Sequence, residues 1–187
     1  MATVEMKRAI VVTSLPASGK TTVARHLAAQ LGYPLLDKDD FLEVLYEKQL
    51  PETWRARRAL SKISDVQFQE RASLLDRVVL VSHWRPTCGP QDTGTPTQWL
   101  RDHFPSLIEV HCKCSPETAT TRFLSPTRHP GHRDQDRKPE DLAASLVQLS
   151  NGYPLDIGPL LTIDTETKFD LSDLADRVAV ELGRSGV

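Results

Sequence analysis

An excess of charge of one sign, long apolar runs and paired cysteines are all missing from this sequence, and each absence narrows the possible functions. The formal net charge is only -2, so there is no general attraction to nucleic acid or to anionic membranes. No apolar run approaches the roughly 20 residues of a membrane helix, and residues 1–12 lack the apolar core of a secretory signal. We therefore expect a cytoplasmic protein without nucleic-acid or membrane partners.

Cysteine is scarce, with Cys88, Cys112 and Cys114 as the three examples, and this number does not suggest a disulfide framework. Cys112 and Cys114 alternate along a predicted strand, a spacing more typical of packing than of metal binding. Internal repeats and long linkers are also missing from the sequence. We expect a single domain over residues 1–187, as a monomer or a homodimer in a reducing compartment.

Predicted strands alternate with predicted helices along the whole chain. Short β-branched or apolar runs predict strands at Arg8–Thr13, Tyr33–Leu36, Arg77–Ser82, Ser106–Cys112 and Leu160–Asp164. Helical periodicity and capping residues predict helices at Lys20–Leu31, Phe41–Tyr46, Glu52–Leu75, Gln98–Asp102, 115–124, Glu140–Leu149 and Leu171–Leu182. This alternation predicts an α/β fold, a three-layer α/β/α domain with a five-stranded parallel sheet.

The first strand and helix enclose a phosphate-binding motif within the stretch AIVVTSLPASGKTTVARHLAAQLG. Backbone N–H groups at a helix N-terminus bind phosphate, and here Ala17, Ser18, Gly19, Lys20, Thr21 and Thr22 would supply them for ATP. Lys20 would reach the transferred phosphate as a catalytic group, and Thr21 would ligate Mg²⁺. Ser14 stands where the motif has its first glycine, and a serine fits there if its φ is negative.

The stretches SLPASGKTT and LLDKDDF, together with an arginine-rich lid, resemble the P-loop kinases of small molecules. These kinases include gluconate kinase, chloramphenicol phosphotransferase, the zeta toxins and polynucleotide kinase. The sequence is most similar to the bacterial "predicted kinases" grouped with the AAA-family ATPases. The resemblance implies a nucleoside-monophosphate-kinase-like P-loop fold with strand order 2-3-1-4-5.

Three aspartates follow the second predicted strand, at the sheet edge where open α/β folds bind ligands. The resemblance implies that Asp39 is the catalytic base that orients the acceptor hydroxyl and takes its proton. Asp37 would hold either a magnesium-bound water or the acceptor. Asp40 is the expected N-cap of the following helix.

The position three residues after Asp39 bears on the charge of the acceptor. Polynucleotide kinases and several relatives have an arginine there, which holds an acidic group of the acceptor, whereas this sequence has Leu42. A neutral hydroxylated acceptor is therefore favoured, unless Arg55, Arg57, Arg58 or Arg85 takes over the role.

The third predicted strand ends in Ser82, where many P-loop proteins have a magnesium-binding acid. This absence argues against a motor ATPase or a GTPase. His83 and Arg85 would contact the acceptor from the same sheet edge. Trp84 would either stack on the acceptor or close the edge of the core.

Segment 121–137, TRFLSPTRHPGHRDQDR, contains four arginines, and from residue 125 to residue 139 the sequence has no helical or strand periodicity. The resemblance implies a lid at about residues 122–139, in which Arg122 and Arg128 bind ATP and stabilise the transferred phosphoryl group. Arg133 is a further candidate for substrate binding. His129 and His132 would be lid hinges or substrate contacts, because no further metal ligands lie at metal-binding spacing.

These features together predict an ATP- and Mg²⁺-dependent kinase that phosphorylates a hydroxyl group of a sugar, metabolite or antibiotic. A kinase for the 5′-hydroxyl of polynucleotides or nucleosides and a toxin that phosphorylates nucleotide sugars are alternatives within the same class. An ATP-binding regulator without transferase activity is the alternative from another class.

Overall fold

The predicted strands form one parallel sheet in the computed structural model, which describes residues 6–86, 93–124 and 129–184. The strands are β1 (Arg8–Thr13), β2 (Leu35–Asp37), β3 (Arg77–Val81), β4 (Ser106–Lys113) and β5 (Leu160–Asp164). Their order is β2-β3-β1-β4-β5, and each neighbouring pair is parallel. Both the predicted fold class and the strand order are confirmed.

Seven α-helices connect the strands in the described part of the chain. They are α1 (Lys20–Leu31), α2 (Lys38–Lys48), α3 (Trp54–Ser73), α4 (Gln98–His103), α5 (Pro116–Leu124), α6 (Pro139–Ser150) and α7 (Leu171–Arg184). Asp170 caps α7, because its carboxylate accepts the N–H of Ser172 at 2.8 Å. None of these helices is long and apolar enough to cross a membrane.

The central strand β1 is buried on both sides, and its alternating side chains enter two different cores. Ile10 and Val12 pack with α1 and α7 on one face of the sheet. Ala9 and Val11 pack on the other face against α3 and α4. This arrangement gives the three layers that the sequence predicts.

One boundary differs from its prediction in a way that affects the site. The prediction ended β2 at Leu36 and began the next helix at Phe41, with Asp40 as its cap. In the structure, Asp37 is the cap, since its Oδ1 accepts the N–H of Asp39 at 3.1 Å. Helix α2 therefore begins at Lys38, and Asp40 lies in its first turn.

Candidate active site

The loop between β1 and α1 has the backbone of a phosphate-binding loop. Ala17 and Gly19 adopt positive φ angles of 59° and 91°, which turn the chain tightly before α1 begins at Lys20. The Nζ of Lys20 donates a hydrogen bond to the carbonyl of Leu15 at 2.6 Å, across the loop. The loop thus holds its lysine over the N-terminus of α1, where anions are favoured.

Ser14 has a structural role that a glycine could not fill. It is buried, it is not among the residues with positive φ, and its Oγ donates to the carbonyl of Cys112 in β4. This hydrogen bond ties the start of the loop to the neighbouring strand. The missing glycine of the motif is therefore compatible with the loop conformation.

Thr21 and Asp37 meet at the mouth of the loop, with the Oγ1 of Thr21 donating to the Oδ2 of Asp37 at 3.0 Å. Burial raises the pKa of Asp37 to about 6, and the neighbouring charge of Asp39 adds to this effect. A hydroxyl and a carboxylate oxygen are ligands that Mg²⁺ prefers. The donor set at this position therefore fits the metal that the motif implies.

A network of buried polar groups lies at the end of β3, where the sequence lacks the expected acid. The Oγ of Ser82 is 2.5 Å from the Oγ1 of Thr95, which donates to Asp65 of α3 at 2.7 Å. Lys38 is 3.5 Å from the same carboxylate and donates to Ser61 at 2.7 Å. The carboxylate of Asp65 in α3 is thus linked to Ser82 by hydrogen bonds through Thr95.

Lys38 and Asp65 line the cleft, but sequence reasoning did not select them. Burial lowers the pKa of Lys38 from its ordinary value, although the charges of Asp65 and Asp39 oppose that shift. Lys38 lies within the LLDKDDF stretch, but nothing in the sequence pattern distinguished it from an exposed surface lysine. Asp65 gave no signal, because its role depends on which face of α3 meets the sheet.

The residues after β3 divide between the cleft and the core. His83 lines the cleft, and burial lowers its pKa to about 3, with the charges of Lys20 and Lys38 adding to the effect. Arg85 also lines the cleft and donates to the carbonyls of Thr93 and Gly94. Trp84 is fully buried and donates to the carbonyl of Val12 at 2.9 Å, so it closes the core and is not a stacking surface.

A cavity of about 670 Å³ brings these groups together. Its walls are the phosphate loop, the start of α2, the middle and end of α6, one face of α3, the end of β3 and parts of the lid segment. Eight lysines and arginines line it against four aspartates. The basic residues are Lys20, Lys38, Arg57, Arg58, Lys62, Arg85, Arg122 and Arg137. This excess of positive charge suits a polyanionic ligand.

Asp39 lies in the first turn of α2 and lines the cavity beside Asp37 and the phosphate loop. The bond from its N–H to Asp37 fixes the turn that carries it. Asp40 is exposed and is not among the residues that line the cavity. The structure thus brings the predicted base and the predicted phosphate-binding groups into one space.

Arg122, at the end of α5, lines the cavity and donates to the carbonyl of Thr165 at 2.9 Å, just after β5. Arg128 lies outside the described residues. Arg133 is not among the residues that line the cavity, and its predicted role in substrate binding stays a prediction. It donates to the carbonyls of Pro51 and Glu52 and pairs with Asp136 at 2.5 Å.

Arg137 is a cavity residue that sequence reasoning passed over. Its guanidinium lies 5.1 Å from the ring centroid of Trp54 and 5.9 Å from that of Phe123, and it lines the cavity. The prediction of an arginine-rich lid contained this residue. Its position in the sequence gave no reason to prefer it to Arg133 as a cavity residue.

The described lid segment, residues 129–139, packs against α2. His129 stacks on Tyr46 with ring centroids 5.4 Å apart, and the buried His132 lies 2.9 Å from a carboxylate oxygen of Glu43. A Cβ at Gly131 would lie 2.3 Å from the ring of Tyr46, so only glycine allows this approach. Both histidines thus join the lid to α2.

In the described part of the chain, no group of three or more acids, histidines or cysteines could hold a metal ion.

Comparisons with known proteins agree with this geometry. Residues 10–143 match the family model AAA_18, an AAA domain. The crystal structure of a "putative kinase" from Chloroflexus aurantiacus j-10-fl has 30% sequence identity and a TM-score of 0.78, covering 94% of this chain and 98% of that chain. None of the curated proteins compared with the chain matches it.

Two more distant structures share the fold. Shikimate kinase from Bacteroides thetaiotaomicron has 16% identity and a TM-score of 0.62, covering 94% of this chain and 98% of that chain. A gluconokinase from Sinorhizobium meliloti 1021 has 16% identity and a TM-score of 0.53, covering 97% of this chain and 94% of that chain. The resemblance to P-loop kinases drawn from the sequence is confirmed.

Proposed function

Because the chain belongs to the AAA domain family and is a kinase of the P-loop type, we propose that it transfers the γ-phosphate of ATP to a hydroxyl group of a small molecule. One observation carries this proposal. A candidate base, Asp39, and a phosphate-binding loop line the same cavity of about 670 Å³. A cavity of this size suits a nucleotide with a small acceptor.

The phosphates are bound by the loop and by basic side chains. The N–H groups of residues 17–22 and the ammonium of Lys20 lie at the N-terminus of α1 and would hold the β- and γ-phosphates. Arg122 and Arg137 enter the cavity from its lid side and offset the charge that develops on the transferred group. Preorganised charges of this kind lower the barrier because they need little rearrangement during the reaction.

Thr21 and Asp37 are the residues that would hold Mg²⁺. When bound, the ion neutralises phosphate charge. The bond between the Thr21 hydroxyl and the Asp37 carboxylate keeps both oxygens at one place. Because Asp37 also caps α2, the same residue sets the position of Asp39 relative to this pair.

Asp39 orients the acceptor hydroxyl and accepts its proton as the new P–O bond forms. His83 faces the cavity as a neutral imidazole at physiological pH, since its pKa lies near 3, and it can hydrogen-bond a hydroxyl group. Arg85 lines the same wall. The described lid segment lies against α2.

The test compares two cavity variants with a neighbouring control. Asp39→Asn should lower the rate of phosphoryl transfer by roughly 10²- to 10⁴-fold while keeping ATP affinity, because it removes only the base. Lys20→Ala should lower both nucleotide affinity and transfer. Asp40→Asn, an exposed change outside the cavity, should retain wild-type activity. The readouts are ADP release across an acceptor screen and ATP binding by calorimetry.

Three results would contradict parts of this proposal. Full activity of Asp39→Asn would exclude Asp39 as the base. Tight nucleotide binding without a phosphorylated product across the screen would favour a regulator. Transfer to an oligonucleotide 5′-hydroxyl that weakens with added salt would favour a polynucleotide kinase.

A further inference from the structure

One face of α3 forms the wall of the cavity beside α2. Arg57, Ser61 and Asp65 are spaced four residues apart, so they share this face, and Arg58 and Lys62 lie next to them. Asp65 is committed to Lys38 and Thr95 through the buried network. Asp65 is therefore already engaged, so the number of aspartates in the cavity overstates the negative charge that the other cations on this wall have near them.

Among Arg57, Arg58 and Lys62, Arg57 is the one whose side chain is not exposed. It is half-buried, its Nε is buried without a hydrogen-bond partner, and no carboxylate lies within ion-pair distance of it in the described ranges. Its guanidinium stacks 5.5 Å from the ring centroid of Trp54. Removing a cation from water without an anionic partner is unfavourable, so this position favours binding of an anion.

A second arginine reaches the same aromatic ring from the lid. Arg137 lies 5.1 Å from the centroid of Trp54, and both arginines line the cavity. Arg133 also faces this ring, but Asp136 pairs with it. The like charges of the two guanidinium groups repel one another, and an anion bound between the lid and α3 would lie close to both of them.

We propose that Arg57 binds a carboxylate or phosphate group of the acceptor, and that the acceptor is a hydroxylated anion. This inference rests on the proposed kinase function and reverses the preference for a neutral acceptor drawn from Leu42. Leu42 does line the cavity as a buried apolar side chain, but α3 supplies the charge that α2 lacks. An arginine can bind either group through two parallel hydrogen bonds, which also fixes the direction of the acceptor.

The first test uses pairs of acceptors that differ only in the charged group. Gluconate is compared with glucitol for the carboxylate, and glucose 6-phosphate with glucose for the phosphate, within a wider set of hydroxy acids and their alcohols. We expect transfer to a charged member and not to its neutral partner. Transfer to neutral compounds alone overturns the anionic acceptor while leaving the kinase function intact. Nucleotide binding without transfer to any compound contradicts both.

The second test changes Arg57 and measures KM for each substrate separately. Arg57→Gln should raise the KM for the anionic acceptor by about 10- to 100-fold, the range expected for losing hydrogen bonds to a charged group. The KM for ATP should stay within about twofold, and Arg57→Lys should restore part of the affinity. Arg55→Gln, an exposed change on the same helix outside the cavity, is the matched control. An increase in the KM for ATP, or no change in either KM, would overturn the assignment.

Discussion

Asp37 combines two roles within one carboxyl group. One oxygen caps α2 through the N–H of Asp39, and the other accepts the hydroxyl of Thr21. Burial and the charge of Asp39 raise its pKa to about 6, compared with 3.8 in an unfolded chain. The folded protein therefore binds this proton more tightly than the unfolded chain does.

This shift gives a prediction for the pH dependence of stability. Between pH 3.8 and about 6, the folded state holds a proton that the unfolded state has lost, so the contribution of Asp37 to stability falls as pH rises through this window. Asp37→Asn removes the titration and keeps a good N-cap. In magnesium-free buffer, the Tm of the variant minus that of wild type should rise by a few degrees from pH 4 to pH 7. A difference that stays constant with pH would contradict the shift.

The residues of the phosphate loop could be predicted because their roles follow from local spacing. Lys20 and Thr21 occupy fixed positions between a strand and a helix, and backbone N–H groups supply most of the expected phosphate contacts. Asp37 was harder to assign, since the sequence offers three aspartates within four residues and any of them can cap a helix. The choice depends on where β2 ends, which its neighbour in the sheet decides.

At the scale of elements, the contact between the lid segment and α2 joins the two walls that would enclose the acceptor. Tyr46 packs against Gly131, and the rings of His129 and His132 lie against it. Glu43 adds a hydrogen bond to the buried His132. The contact is therefore close-packed and has no room for an additional methyl group at Gly131.

Gly131→Ala tests this contact. Its Cβ would lie 2.3 Å from the ring of Tyr46, so either the lid or the ring must move, at a cost of about 1–3 kcal/mol. We expect a lower Tm and a reduced kcat/KM for transfer.

Gly183→Ala in α7 is the matched control, because a Cβ there meets nothing within 4 Å and alanine favours a helix. Its Tm should stay the same or rise slightly. Equal melting temperatures for both variants would show that the lid does not hold this contact in solution.

Helix α3 could be predicted from the sequence, but the face that it turns to the cavity could not. The polar helix was expected, but its many charged residues gave no sign of which face meets the cavity. Arg57 and Asp65 acquire their roles only when α3 packs on the sheet through Phe68 and Ala72. The wall that would select the acceptor is thus a tertiary feature, which local periodicity does not encode.

For the whole molecule, the alternation of strands and helices was sufficient to predict the architecture. Parallel strands place their carboxyl ends at one edge, and this edge gathers the phosphate loop, Asp37, Asp39 and His83. The positive charge of the cavity could not be read from the net charge of -2, because acidic residues elsewhere conceal it. The distribution of charge, and not its total, points to an anionic ligand.

The central claim is that a phosphoryl group leaves ATP for an acceptor hydroxyl oriented by Asp39. The most direct measurement incubates the protein with Mg²⁺, ATP labelled at its γ-phosphate and the matched acceptor pairs, and then separates the labelled products. We predict that wild type and Asp40→Asn transfer the label to a hydroxylated anion, whereas Asp39→Asn leaves it in ATP. Label found only in ATP or inorganic phosphate with the wild-type protein, or equal transfer by Asp39→Asn, would contradict the claim.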